Sequence, residues 1–233
     1  MIAVKNIISD ILHLFYPHSC TGCGSDLLSK ANLLCTSCTR ELPHTHFALH
    51  ENNIIEKIFT GRIPFKAAYS EFYFSKGQLI QHLIHCLKYK NDQEIGRYLG
   101  EMMGASMMKG ERFANLDFLI PLPLFADKEF KRGYNQSAAI CDGICKATGV
   151  PIMLRNVIRQ RATETQTKKH RAERWQNVDG SFTILNPAQL TGKNILLVDD
   201  VITTGASLEA CGQAILKIPG TKLSFAALAH ASK

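Results

Sequence analysis

The sequence predicts an α/β fold, a parallel sheet flanked by helices with a small four-cysteine module, and three observations carry that prediction. First, Ile195-Leu196-Leu197-Val198 is an uninterrupted β-favouring apolar run, as in a strand buried on both faces; it ends in Asp199 and Asp200 and a hydroxyl-rich turn, and helical periodicity resumes after Ser207. Second, strand-like and helix-like segments alternate from about residue 65 onward, the pattern of a parallel sheet. Third, Cys20-Thr21-Gly22-Cys23 and Cys35-Thr36-Ser37-Cys38 pair four thiols near the N-terminus.

A chain of 233 residues can bury one full domain plus something small, here divided into 1–50 (helix and cysteine module) and 51–233 (the α/β unit). The 45% apolar and 20% charged content exclude a disordered chain. Lys and Arg exceed Asp and Glu by 27 to 20, giving a formal charge of +7. The excess is local: residues 155–174 hold Arg155, Arg159, Arg161, Lys168, Lys169, Arg171 and Arg174 against Glu164 and Glu173, whereas the first fifty residues are neutral. An anionic partner is therefore expected to meet the C-terminal two-thirds first.

At the N-terminus, Ile7, Ile8, Ile11, Leu12 and Phe15 recur at helical spacing, interrupted by Asp10 and His13. The stretch is too short and polar to cross a bilayer and no small-residue cleavage site follows, so a docking helix in a cytoplasmic protein without a membrane span is expected. A membrane-surface helix is the weaker alternative, since only Lys5 adds positive charge. The two CxxC pairs, eleven residues apart, predict a structural zinc site on Cys20, Cys23, Cys35 and Cys38, because tetrahedral zinc takes four thiolates and a closed set leaves no catalytic position. Disulfides or redox pairs are the alternative. His18, His44 and His46 are read as surface residues.

Residues 39–62 read as a connecting stretch, and residues 65–74 as a strand ended by Gly77. Leu79, Ile80, Leu83, Ile84 and Leu87 define one helix; Ile95, Leu99, Met102, Met103 and Met107 define another. The basic link Lys88-Tyr89-Lys90 is either a solvated turn or a ligand contact. Phe118-Leu119-Ile120 reads as a strand entering a proline-set loop, Pro121-Leu122-Pro123-Leu124, which continues through residues 125–134. There Lys128, Lys131 and Arg132 interleave with Phe125, Phe130 and Tyr134, a pattern that suits a phosphodiester backbone with stacked bases, or an ordinary charged loop. A helix follows, ending near Gly149. Residues 151–154 are expected to form a strand, the basic run 155–174 a phosphate-closing lid or a solvated helix, and Trp175 the anchor of its base. Phe182 and Ile184, residues 195–198 and residues 223–228 supply further strands.

The turn after Asp200 can bind a phosphate through its backbone N–H groups and the following helix N-terminus, while paired carboxylates suit sugar hydroxyls or a divalent ion. No Walker lysine is present. The segment from Val198 through Asp199, Asp200, Thr203, Thr204, Gly205, Ala206 and Ser207 resembles the phosphoribosyl pyrophosphate (PRPP) motif of type I phosphoribosyltransferases. With the double CxxC, the Pro121-Leu122-Pro123-Leu124 and Lys131-Arg132-Gly133-Tyr134-Asn135-Gln136 segments, and the run from Arg161 through Gln166, Arg174 and Asn177 to Phe182, nearly the whole chain resembles the ComF family, which acts in bacterial natural transformation. It departs from that family at Glu164 and Thr165, where members carry prolines.

The resemblance implies a type I phosphoribosyltransferase-like fold. It implies that Asp199 and Asp200 hold ribose hydroxyls with Mg2+ nearby and that Thr203, Thr204, Gly205, Ala206 and Ser207 cradle the 5'-phosphate. It makes Leu122, Pro123, Lys131 and Arg132 part of a pyrophosphate loop and Arg159, Arg161, Arg171 and Arg174 part of a lid. It further implies handling of incoming single-stranded DNA, with competence or replication-restart proteins as partners. Such a site supports displacement of pyrophosphate from the anomeric carbon through an oxocarbenium-like state. No side chain stands out as a general base, so two readings compete: a PRPP-regulated DNA-handling protein, and a phosphoribosyltransferase with an unidentified acceptor. A third, the zinc module as a nucleic-acid reader, is weakened by its neutral charge.

Overall fold

The computed structural model of the chain describes residues 18–26, 32–160 and 181–231. The expected N-terminal docking helix, Trp175, and Arg161, Arg171 and Arg174 of the expected lid lie outside the described residues.

In chain order the principal elements are α1 (Thr36–Arg40), α2 (Ile54–Phe59), β1 (Ala68–Tyr73), α3 (Leu79–Tyr89), α4 (Gln93–Met107), β2 (Phe118–Pro121), α5 (Ala126–Arg132), α6 (Gln136–Thr148), β3 (Val157–Arg159), β4 (Phe182–Ile184), β5 (Asn194–Ile202), α7 (Ala206–Leu216) and β6 (Lys222–His230). Four strands form a parallel sheet in the order β1-β6-β5-β2. β5 lies inside it, with Val198 opposite Ala226 of β6 on one side and Pro121 of β2 on the other. That position explains the apolar run: residues 195–198 are fully buried, and only strands covered on both faces tolerate so continuous a run.

Side chains of β5 alternate between two cores. Leu196 and Val198 join the core built with α3, α4 and α6, including Leu83, Leu87, Leu99, Met103 and Ile140. Ile195 and Leu197 join the core built with α2 and α7, including Phe59, Leu208, Cys211 and Ile215. The period of two continues beyond residue 198, because β5 remains paired with β6 through Ile202↔His230. Asp199 and Asp200 therefore stand on the strand itself, in register with opposite cores, and the turn begins only at Thr203.

Helices α4 and α6 touch backbone to backbone. A Cβ at Gly100 would lie 2.2 Å from the carbonyl oxygen of Ile140, and one at Gly143 would lie 2.0 Å from that of Arg97. This contact seats α6, whose first turn carries Ser137 toward the end of β5.

Three segments differ from the sequence expectation. Residues 39–62 are not merely a connector. Asn53 caps α2 by accepting from the Ile55 and Glu56 amides and donates to His50 O and Ala68 O at 2.9 Å, while buried Glu56 pairs with Arg112. That knot depends on Arg112, far along the chain. Residues 125–134 are mostly helix α5, whose first turn carries Asp127 and Glu129 and whose last carries Lys131 and Arg132, both favourable to the helix dipole. Gly133, at φ 80°, ends it in the left-handed conformation. Residues 151–154 supply only one bridge, Ile152 to Leu119, and the next strand, β3, opens within the expected basic lid and pairs antiparallel with β4 in a separate two-stranded sheet. No described helix is long and apolar enough to cross a membrane.

Candidate functional site

β5 delivers two carboxylates to the carboxyl edge of the sheet, where the next residues form a turn. Gly205 is the N-cap of α7 with φ 72°, and a Cβ there would meet the Phe59 ring at 2.8 Å. Glycine is required on both counts. Residues 201–208 and Asp199 line a small cavity of about 70 Å3. Thr203, Thr204, Gly205, Ala206 and Ser207 thus sit together at the start of α7, where a helix leaves its first amides without intrahelical partners. From α2's trailing loop, Arg62 donates to Thr204 O at 2.9 Å and pairs with Glu209 of α7, pinning the turn from behind. Nothing in the local sequence marks Arg62 for this role; the contact spans 142 residues.

The acids are held differently. Asp199 Oδ1 accepts the Asp200 amide at 2.8 Å and the Ser137 hydroxyl at 3.4 Å. Burial, reinforced by the neighbouring Asp200 charge, pushes its carboxyl up to about 7. Asp200 Oδ2 lies 3.0 Å from Lys88 Nζ, at the last turn of α3. The basic link after α3 is therefore not simply solvated: Lys88 reaches the acid pair, while Tyr89 is 66% exposed with the Arg132 guanidinium 5.8 Å from its ring centroid.

Leu122 and Pro123 are buried, the Leu122 amide donating to Val198 O at 2.8 Å, so this loop lies directly beside the end of β5. Asn135 donates to Leu122 O at 3.0 Å and caps α6 by accepting from the Ser137 amide. Arg132 donates to Gln136 Oε1 at 2.6 Å. Lys131 is exposed, as is Phe130 at 89%, whereas Tyr134 is buried with its hydroxyl donating to Leu87 O. The aromatics of this stretch thus divide: Phe130 faces solvent, Tyr134 serves the core and Phe125 lies under Arg159. Arg159, on β3, lies over the rings of Phe125 at 4.1 Å and Phe182 at 5.1 Å, and its buried Nε has no hydrogen-bond partner among the described residues. Burial lowers its pKa, opposed by the nearby Asp199 charge. A second cavity, of about 510 Å3, borders the proline-set loop and is lined by Pro123, Asn135, Asp142, Leu154 and Arg159 among others.

The four N-terminal cysteines converge. Their sulfurs all lie within 4.8 Å of one another, and Cys23 Sγ and Cys35 Sγ are 3.7 Å apart, close to the roughly 3.8 Å edge of a tetrahedron with Zn–S bonds of about 2.3 Å. The Cys35 amide donates to Cys20 Sγ at 3.2 Å and the Cys38 amide to Cys35 Sγ at 3.4 Å, as in cysteine knuckles that hold thiolates. Hydrogen bonds from Ser25 lower the Cys23 thiol to about 6, while burial raises that of Cys38. Gly22 fits against this group, since a Cβ there would lie 2.8 Å from both Cys38 Sγ and Leu79 of α3. The cluster is a donor set able to hold a metal ion. It shares its core with the main unit: Cys20, Cys38 and Leu42 pack in one cluster with Ile80 and Leu83, and His82 of α3 bonds Thr21 O at 3.0 Å.

No family model matches the sequence. It is 30% identical over 138 residues to DNA utilization protein YhgH of Escherichia coli K12, a match covering 58% of this chain and 60% of YhgH. Competence protein F of Haemophilus influenzae is 24% identical over 228 residues, covering 93% of this chain and 99% of the relative. Competence protein ComFC of Bacillus subtilis is 32% identical over 99 residues, covering 42% and 38%. The matched region thus spans about 60% of the YhgH relatives' length. Among solved structures, the glutamine PRPP amidotransferase of B. subtilis aligns at a TM-score of 0.44 and 17% identity, covering 63% of this chain and 30% of that one. Adenine phosphoribosyltransferase of Saccharomyces cerevisiae aligns at 0.40 and 16%, covering 61% and 72%. The chain, a parallel sheet flanked by helices with a four-cysteine cluster, has homologues named Competence protein F, Competence protein ComFC and DNA utilization protein YhgH.

Proposed function

We propose that this protein binds PRPP with Mg2+ at the turn after β5 and acts in natural transformation, in the cytoplasmic handling of incoming single-stranded DNA. The observation that carries the reading is the union of a carboxylate pair on β5 with a glycine-capped helix N-terminus, which together offer acceptors for a sugar diol and donors for a phosphate. Asp199 and Asp200 take the ribose hydroxyls and residues 203–207 the 5'-phosphate. The loop with Leu122, Pro123, Lys131 and Arg132 faces the diphosphate, and Arg159, held on β3, with Arg161, Arg171 and Arg174 supplies the lid's positive charge. Hard carboxylate oxygens suit Mg2+, which would neutralise diphosphate charge when bound. Cys20, Cys23, Cys35 and Cys38 hold a structural Zn2+ in a module, 1–50, distinct in sequence from 51–233.

The DNA role draws support from the names of the homologues and from α5, where exposed Phe130 stands among Lys128, Lys131 and Arg132, with exposed Tyr89 beside Arg132. Exposed rings can stack bases while cations follow the backbone. Competence or replication-restart proteins are the corresponding protein partners. The cavity of about 510 Å3 beside the proline-set loop favours a second reading, phosphoribosyl transfer to an acceptor seated there. Product analysis with PRPP, Mg2+, a panel of bases and oligonucleotides separates the two. Pyrophosphate release tied to one acceptor establishes transfer; calorimetric PRPP binding without turnover establishes the regulatory reading, and no binding refutes both.

A further inference from the structure

Lys88 links the acid pair at the end of β5 to the last turn of α3. Its ammonium is 3.0 Å from Asp200 Oδ2, with side-chain exposures of 22% and 13%, so the pair is largely shielded from water. On its other side the end of α3 is fastened to the 132–134 loop: the Tyr134 hydroxyl donates to the carbonyl of Leu87, and Arg132 lies over the Tyr89 ring. The backbone of Lys88 is thus fixed, while a lysine stem has enough rotatable bonds for its ammonium to change partners.

We propose that Lys88 is an exchangeable counter-ion, resting on Asp200 in the free protein and transferring to the ligand's diphosphate when ribose hydroxyls take its place on the carboxylate. The inference rests on the PRPP reading above. Its physical basis is that hydroxyl donors and an ammonium compete for the same shielded carboxylate. Removing a cation from a shielded acid is costly unless both charges find new partners at once. A diphosphate next to the 121–135 loop gives the ammonium that partner, and the diol gives one to Asp200. A ligand with the sugar but no diphosphate must displace Lys88 without compensating it, so Lys88 discriminates between ribose 5-phosphate and its diphosphorylated form.

Calorimetry on the full chain with two probes tests this, PRPP with Mg2+ and ribose 5-phosphate. In Lys88→Met, affinity for PRPP is expected to fall about tenfold or more, as expected for loss of a charge-assisted contact. Affinity for ribose 5-phosphate stays unchanged or rises. Lys88→Arg, which keeps the charge, should retain most of the preference, and it carries the test should the methionine variant fail to fold. Affinities that fall together, or a preference unchanged in the methionine variant, overturn the exchange and leave the PRPP site standing. A wild-type protein that binds neither probe overturns the PRPP reading and this inference with it.

Discussion

At the N-terminus four identical sulfurs from two neighbouring turns meet within 4.8 Å, whereas at the end of β5 two carboxylates meet a lysine from α3 and a serine from α6. Both centres begin as short motifs. The cysteine cluster is complete within its motif, because every donor is of one kind and each CxxC turn orients its own pair. The acidic turn is completed from elsewhere: Lys88 balances it, Ser137 orients it and Arg62 holds the turn at Thr204. A self-contained site is written locally, while a site built on a sheet edge inherits its electrostatics from whichever helices cover the sheet.

The sharpest way to break this contrast is at the sulfurs. Cys38→Ser removes a buried donor from the closed set, and we expect complete loss of bound zinc with a fall in melting temperature of about 10 °C, since each kcal/mol is worth roughly 2–4 °C at this size. Elemental analysis and scanning calorimetry check it, and full metal retention would refute the four-thiolate assignment. Next in size, Asp199→Asn with Asp200→Asn should abolish PRPP and Mg2+ binding while leaving zinc content and fold intact; unchanged calorimetric affinity would remove the acids from the site. Gly205→Ala places a Cβ against Phe59 and strains a left-handed backbone, so PRPP affinity should fall about tenfold, with a stability loss of about 1–2 kcal/mol. An unaffected affinity would show that the turn does not hold the phosphate.

A smaller effect comes from pH. Asp199 is raised to about 7 by burial and by Asp200, so ligand hydroxyls find a full anionic acceptor only above that pH. PRPP affinity should rise about tenfold per unit below pH 7 and level off above it. For stability the sign is reversed: the folded protein holds this proton more tightly than the unfolded chain. Asp199 therefore stabilises the free protein below about pH 4 and loses that contribution as pH rises to about 7, which urea titration across the range would detect. The smallest effect is expected at Phe130→Ala, about fivefold weaker oligonucleotide binding at fixed salt with unchanged PRPP affinity, as for loss of about 1 kcal/mol of stacking. Equal binding by the variant would argue against a base platform on α5.

The same contrast explains what the sequence made legible. The buried strand at 195–198, the helices at 79–89 and 93–107 and the convergence of the four cysteines follow from periodicity and spacing, which are local signals. Lys88 was ambiguous because a basic residue at a helix end reads alike whether it faces water or a carboxylate brought in from residue 200. Residues 39–62 read as a connector because Glu56 finds Arg112 only in three dimensions. Helix α5 hid inside a run whose proline entry and mixed charges suggested a loop, although the charge order along it already suited a helix dipole. β3 is masked in the sequence by its arginine, which lies over two aromatic rings.

The glycine contact between α4 and α6 has a consequence for how this chain can change over time. At residues 100 and 143 even a methyl group is a wedge, since it would overlap a main-chain oxygen that has nowhere to retreat. Gly143 lies six residues beyond Ser137, about 9 Å along the helix, so a wedge at that pivot tilts the far end that carries the serine to Asp199. The two helices act as a datum from which the site is measured. Drift elsewhere on their surfaces is tolerated in proportion to packing, but drift at the pivot is read directly as error at the carboxylates.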